Sequence, residues 1–526
     1  MAKPKKQARS DADDSPELPI TIYWDIDEKR VNDDVVLALS KDRSMFQRAG
    51  ELVRIGRRRK AGRWTPVIDP MPAASLREKI SEVARFRKPH KDEHVPDWCV
   101  SGVRSRGEWE HIPHLAYAVE YPVLRPDGTV LQEPGYDEAT QLFYAPSGTF
   151  GHVPEFPSAN DVAAARERIL DLVCDFPFSQ PVHRSAWVAG LLTPFARPAY
   201  DGATPFFLVD ANVRAAGKTF LCHVAWYIAT GRRMPVTTQA ADEAEEGKVI
   251  TAVARGGEAV KLIDNIARPF GNGKFDAALT STWWEDRLLG VNDNFSGPLF
   301  CIWWGTGNNV QFAQRADTAR RTLHIRLLSP DQNPERRTGF KHPHLARHVL
   351  QHRPQLVADC LTLLRAYQVQ RQKEPLVLPP WGSFEEWSDV VRGALVFAGL
   401  PDPIEAHEQL AQQADTAGNT LADLIAGWRE LCKAQNVDGC SVREALEWIA
   451  EDLEYKAKSP GHQLRFTQLL DALSEQCSTH GRSQIPDARQ VSFLLRSFQG
   501  RVVQGEYLAM DGRSMRGQIW KVAKHS

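Results

Sequence analysis

The chain has 526 residues, 65 Lys and Arg against 66 Asp and Glu, and an ordinary apolar fraction of 42%. This length accommodates about three or four domains, and the balanced charge means that any nucleic-acid surface must be local. No apolar run nears the ~18 residues that would span a bilayer.

The N-terminal stretch, residues 1–18, is basic and then acidic, lacks the apolar segment of a signal peptide, and reads as a disordered tail. The eight cysteines are scattered without a CxxC pair. The nearest two, Cys432 and Cys440, match no zinc spacing, so buried free thiols in a reducing cytoplasm are expected.

Residues 19–175 read as a mixed α/β domain. Ile20–Ile26 and Leu52–Arg57 alternate like strands, Ala74–Phe86 has helical periodicity, and Tyr117–Val130 reads as strand and turn. Two basic clusters, Arg54 to Lys60 and Arg85 to Lys91, are candidate phosphate contacts or solvated loops. Helical segments follow at Asn160–Cys174, with Asn160 as candidate N-cap, and at His183–Arg197.

Strands and helices then alternate from Phe206 to Leu328, the pattern of a parallel, helix-covered sheet. Phe206–Val209 is a buried strand followed by a small-residue loop and a helix opening at Gly217-Lys218-Thr219, the layout of a P-loop. Such a loop aims backbone N–H groups at phosphate, and the helix start adds partial positive charge. The phosphate-binding set is Asn212, Val213, Arg214, Ala215, Ala216, Gly217, Lys218, Thr219 and Phe220. Lys218 is expected at the β- and γ-phosphates of ATP and the Thr219 hydroxyl on Mg²⁺. Asn212 stands where the motif has its first glycine; asparagine tolerates left-handed backbone, so the loop can still form.

Ala259–Ile266 is an apolar run ending in Asp264, where a carboxylate at a strand's C-terminal edge would hold Mg²⁺. A third strand, Leu299–Asn309, ends in Asn308 and Asn309, which can orient the attacking water or simply form a turn. A fourth, Thr322–Leu328, follows Arg320 and Arg321, either a finger reaching a neighbour's nucleotide or surface charge.

Residues 336–455 read as mostly helical. Their later part, Pro401–Glu454, has twelve carboxylates against three Lys/Arg and reads as a solvated helical layer. From Lys456 the sign reverses, with eleven Lys/Arg against five Asp/Glu. Helices at Phe466–Gln476 and Ala488–Phe498, then two short strands around a Gly-containing loop, suggest a winged helix-turn-helix in contact with duplex DNA or with protein.

The order GKT, LIDN, TGNN and then RR before a last strand resembles the AAA+ ATPases of phage and mobile-element replication. These are the superfamily 3 and MCM-like self-loading helicases, including the helicase half of phage-type primase–helicases. The motif-bearing residues are Asn212–Thr219, Leu262–Asn265, Trp284–Gly290, Thr306–Asn309 and Asp317–Arg321, and Pro122–Pro146 looks like the segment that precedes the ATPase in such proteins. The architecture implied is α/β: an AAA+ P-loop ATPase core (176–335), an α/β N-terminal domain (19–175), a helical region (336–455) and a C-terminal winged helix (456–526). The resemblance implies a homo-oligomeric ring, usually a hexamer, with ATP between subunits and single-stranded DNA in the pore. It makes Asn308 the sensor and Arg320 or Arg321 the finger.

Two departures stand out. Many such ATPases have Glu after the Walker B Asp as general base; here Asn265 occupies that catalytic position and cannot take a proton. Glu245, Glu246, Glu285 and Asp286 are the alternatives, with Glu246 placed in the catalytic set, although Glu245 and Glu246 also suit a helix start. Nothing matches the catalytic motifs of a primase, so a helicase served by a separate primase or replication initiator is expected. Trp283–Pro298 lies where related helicases place a pore hairpin, which makes Arg287, Asn292 and Asn294 candidate DNA contacts. The leading expectation is an ATP-driven replicative DNA helicase of a phage, plasmid or mobile element. The alternatives are an AAA+ loader or defence ATPase that switches assembly with a protein partner, and a DNA-binding regulator with a vestigial ATPase, which the intact Lys218, Asp264 and arginine pair oppose.

Overall fold

The structure, a computed structural model, describes residues 19–524 except 25, 61–62, 90, 288–293, 314–316, 332, 415, 460, 462 and 478–484. The tail expected over 1–18 and the candidate contact Asn292 lie outside the described residues. The chain divides into two compact units, Met1–Leu410 and Ala411–Ser526. Among the described residues no helix is long and apolar enough to cross a membrane.

The first unit begins with a small α/β layer. Strand Ile20–Tyr23 runs parallel to Ala84–Lys88, and helices Glu28–Ser40, Ala73–Val83 and Asp97–Arg104 pack against them. Val31, Val35 and Leu39 recur at four-residue spacing, which puts them on one helix face and into that core. A second, antiparallel sheet of Met45–Arg48, Glu51–Lys60 and Arg63–Pro70 follows. Its buried Arg48 donates to the carbonyls of Ala116, Ala254 and Arg255 at 3.2, 2.8 and 3.0 Å, tying this sheet to the following layer. In the basic clusters, Arg54 and Arg57 are exposed, Arg58 pairs with Asp69 and Lys88 covers the Trp24 ring.

The centre of the unit is a five-stranded parallel sheet. Its strands are β1 (Phe206–Ala211), β2 (Val236–Thr238), β3 (Val260–Ile266), β4 (Ile302–Asn308) and β5 (Thr322–Leu327), in the spatial order β2-β3-β4-β1-β5. Both faces are covered, which is why β1 is buried at every position rather than at alternate ones. Phe207 and Val209 pack with Trp187 and Trp304 on one face; Phe206 and Leu208 pack with Phe275 and Trp303 on the other. Helices α1 (Lys218–Thr230), α2 (Glu243–Gly256) and α3 (Gly273–Thr280) connect the strands, and a 27-residue helix, Leu345–Arg371, packs on α1.

Helix Ala159–Leu172 is capped by Ser158, not by the expected Asn160; Ser158 and Asp161 form a reciprocal capping box. Between α3 and β4 the chain forms a two-stranded antiparallel ribbon, Trp283–Arg287 with Asn294–Pro298.

The second unit contains helices Thr416–Ala434, Val442–Lys458, Thr467–Gln476 and Ala488–Ser497 and a small antiparallel sheet. In that sheet Cys440–Ser441 pairs with Gly517–Lys524, which pairs with Glu506–Ser514. The strands run longer than the sequence suggests: Ala509–Ser514, read as loop, is strand with a register shift between Met510 and Arg513. Leu421, Leu424, Trp428, Ile449, Leu469, Leu495 and Trp520 share one core.

Candidate functional site

All five strands are parallel, so their C-terminal ends share one edge, the edge at which sheets of this kind bind ligands. At that edge β1 gives way to the loop 212–217. The left-handed turn expected of Asn212 falls instead on Ala215 (φ 58°) and Gly217 (φ 85°). The left-handed φ favours glycine at 217, and a Cβ there would also sit 3.0 Å from the Phe176 ring, which would have to shift. Asn212 acts through its side chain: Nδ2 donates to the Ser329 carbonyl and Oδ1 accepts from the Ser329 N–H, both at 3.0 Å. This pair of hydrogen bonds ties the start of the loop to the chain leaving β5. No side chain caps the N-terminus of α1, which leaves its first N–H groups facing outward from the helix.

Four of the expected residues meet here. Lys218 Nζ donates to Asn308 Oδ1 at 2.8 Å and to the Val213 carbonyl at 3.4 Å. Burial lowers the Lys218 ammonium from its ordinary value, and the Asp210 and Asp264 carboxylates oppose that shift. Thr219 Oγ1 donates to Asp264 Oδ1 at 2.8 Å. Strand β4 lies between β1 and β3, so its end places Asn308 beside Lys218 and Thr306 beside Asp264. Asn308 and Asn309 separate: Asn309 is left-handed (φ 48°) and its Oδ1 accepts from Arg326 at 2.6 Å.

The Thr219 hydroxyl and Asp264 carboxylate are a pair of hard oxygen donors of the kind that could hold Mg²⁺. Among the described residues no three His, Cys, Asp or Glu side chains are grouped to hold a metal.

Several participants had not been expected. Thr306 Oγ1 donates to Asp264 and accepts the Asn265 N–H at 3.0 Å. Arg326 pairs with the buried Asp210 at the end of β1; the alternation of His324 and Arg326 along β5 is the sequence signal for two polar side chains on one face. Beside the loop opens a cleft of about 590 Å³, lined by Ala216, Gly217, Phe176, Phe220 and Phe340 among others. Its walls come from segments flanking the sheet motifs on both sides, and Phe176 and Phe220 lie 6.4 Å apart between ring centroids. Arg214 is exposed at the loop tip.

No family model and no curated protein matches the chain. Among solved structures it is similar to the C-terminal region of NrS-1 in its A form apo structure, at 9% identity, TM-score 0.37, and coverage of 84% of this chain and 93% of that one. A second structure of that region gives 9%, 0.40, 91% and 95%. The X-ray structure of JCV helicase gives 11% identity, TM-score 0.20, and coverage of 50% and 70%.

The remaining candidates lie around this cluster. Arg321 is held within its own chain, 3.3 Å from Asp276 and 3.6 Å from Asp317. Arg320 is exposed; its backbone N–H donates to the Asp317 carbonyl at 3.0 Å and its own carbonyl accepts from Trp381 at 3.2 Å. Glu246 is buried in the first turn of α2 and bonds to Asn272; burial pushes its carboxyl up to about 7. Among the described residues it makes no hydrogen bond to Lys218, Thr219, Asp264 or Asn308. Glu245 is exposed and paired with Lys248; Glu285 accepts from Ser296, and Asp286 from Lys274 at 2.6 Å. Arg287 and Asn294 are cross-strand partners at the far end of the ribbon. At the opposite end of the ribbon Trp283, paired with Pro298, is half exposed, while Trp284 is buried and donates to Thr251 at 2.9 Å.

Proposed function

We propose that the chain is an ATP-hydrolysing, ring-forming DNA helicase motor. The observation that carries the nucleotide part is the meeting of Lys218, Thr219, Asp264 and Asn308 at one sheet edge, beside an aromatic cleft of a size that suits a base. In this reading the cleft takes adenine between Phe176, Phe220 and Phe340. The loop N–H groups and Lys218 Nζ hold the β- and γ-phosphates, and Thr219 and Asp264 hold Mg²⁺. Mg²⁺ supplies neutralisation of the developing phosphate charge. Lys218 exchanges its Asn308 bond for a phosphate oxygen, which frees the Asn308 amide to orient water at the γ-phosphate. Glu246 takes the proton of that water after a movement of α2 toward the edge. Arg320 of a neighbouring subunit completes the charge stabilisation, and Arg287, Asn292 and Asn294 grip the strand in the pore.

Lys218→Ala and a forked DNA substrate test this reading together. Wild-type protein is expected to hydrolyse ATP and unwind the fork, and Lys218→Ala protein to do neither. Turnover that persists in Lys218→Ala removes the nucleotide site. ATP hydrolysis without unwinding or translocation points to the loader or defence ATPase instead.

A further inference from the structure

The second unit has a groove of about 790 Å³ whose walls carry five arginines: Arg443, Arg489, Arg496, Arg513 and Arg516. One wall is the helix Ala488–Ser497. Its inner face buries Val491 and Leu495 in the unit's core, one helical turn apart. Its outer face presents Arg489, Ser492, Phe493 and Arg496, the i, i+3, i+4, i+7 spacing of a single stripe. Asp487 fixes the start of the helix by accepting from the N–H groups of Arg489 and Gln490 at 2.9 and 3.1 Å. The opposite wall is the strand pair Glu506–Ser514 and Gly517–Lys524, whose turn carries Arg516 and the fully exposed Met515.

The charges are not balanced internally. Arg443 and Arg516 share one carboxylate, Glu447, at 3.3 and 2.7 Å. Arg489, Arg496 and Arg513 have no ion pair among the described residues. Like charges gathered on one groove repel one another, and a polyanion with spaced charges relieves that. Phe493 is 77% exposed in the middle of the arginine stripe, where burial of an apolar ring needs a partner.

We propose that this groove binds duplex DNA, with the helix Ala488–Ser497 in the major groove and the strand pair against the adjacent phosphates. A helix with long basic side chains fits a B-form major groove about 12 Å wide, whereas the A-form RNA major groove is too narrow to be read this way. A single-strand site needs successive aromatic platforms; here one aromatic ring is exposed, and the other lining aromatic, Trp520, is buried at 1% exposure. Arg489, Arg496 and Arg513 make phosphate or guanine contacts, and Phe493 packs on sugar or a thymine methyl. The groove belongs to the second unit and the candidate nucleotide site to the first, and the inference does not depend on ATP hydrolysis.

The test is binding of the full chain to a blunt-ended DNA duplex, followed by fluorescence anisotropy over a range of salt. The triple variant Arg489→Ala, Arg496→Ala, Arg513→Ala is expected to bind duplex at least ~10-fold more weakly, and its log–log salt slope to shrink by about 2 to 3, since each lost phosphate contact removes ~0.9. The corresponding triple Lys variant keeps the charges and is expected to recover most of the slope. Phe493→Ala, which removes no charge, is expected to weaken duplex binding without changing the slope. Unchanged affinity and slope in the triple Ala variant overturn the proposal. So does an equal loss for single strands and duplex, which would make the groove a single-strand channel. Displacement of duplex by polyglutamate as readily as by unlabelled duplex at equal charge would make it a surface for acidic protein.

Discussion

Glu246 is the residue whose two readings differ most in what they require. Its carboxyl is buried in the first turn of α2, and burial raises it from 4.5 to about 7. An acid raised in the folded state contributes its full stability below the unfolded value, here pH 4.5, and loses it as the pH climbs through about 7. A gap of roughly 2.5 pH units corresponds to up to about 3 kcal/mol at pH well above 7. Glu246→Gln keeps the shape and the hydrogen bond to Asn272 and removes the ionisation. The variant is therefore expected to be more stable than wild type by less than about 1 kcal/mol at pH 5 and by up to about 3 kcal/mol at pH 8.5. Turnover separates the roles. If Glu246 is the base, wild-type hydrolysis rises with pH as the carboxylate forms, and Glu246→Gln binds ATP normally but hydrolyses it ~100-fold more slowly. If it is only a buried carboxyl, the stability curves still diverge with pH while turnover is retained. A stability difference that does not vary between pH 5 and 8.5 would refute the burial argument itself, and retained turnover would refute the catalytic role.

The two arginines before β5 are expected to part in the same way. Arg320→Ala should bind ATP yet lose about 10³-fold in turnover, recovering part of it when mixed with Lys218→Ala protein. Arg321→Ala should instead destabilise the fold by about 1–3 kcal/mol, because Asp276 keeps its bonds to Asp317 and Thr318 but loses its ion pair; no rescue in the mixture, with turnover per subunit independent of protein concentration, removes the finger and the ring. Phe220→Ala should weaken ATP binding by about 10-fold through lost stacking, as stacking on an aromatic ring is worth ~1–3 kcal/mol, while inorganic tripolyphosphate competes as well as before; equal weakening of both places the base elsewhere.

The parts of the site legible in the sequence are those that local chemistry dictates. A parallel strand covered on both faces reads as an apolar run, and a polar residue closing such a run falls at the sheet edge, which is how Asp264 and Asn308 can be placed. What was hidden depends on distant partners. Asn212 bonds to Ser329 across 117 residues, and the aromatic cleft joins Phe176 to Phe340, which lie on opposite sides of the sheet strands in sequence. Arg320 and Arg321 are neighbours in sequence, and only the short 3-10 turn Thr318–Arg321 decides that one faces out and the other meets Asp276. Composition alone leaves out the inner faces of the helices in the acidic stretch 401–454. Its carboxylates mark the wet faces of helices, whereas Leu421, Leu424, Trp428 and Ile449, at helical spacing, belong to the core of the second unit.

Asn265 is the reason the proposed function calls on a base from another element. Strand β3 is irregular at this point: its register against β4 shifts between Ile263 and Ile266, and Asn265 is left-handed with φ 59°. That conformation turns the Asn265 N–H onto Thr306 Oγ1, and the same hydroxyl donates to Asp264. The bulge therefore fixes the Asp264 carboxylate through Thr306 and leaves the Asn265 side chain exposed. Asparagine enters left-handed backbone far more readily than a longer side chain does. A glutamate at 265 would strain the bulge and would project from a residue whose backbone is already committed to Thr306. The position after Asp264 thus serves the geometry of that carboxylate, and the proposed hydrolysis would take its proton acceptor from another element.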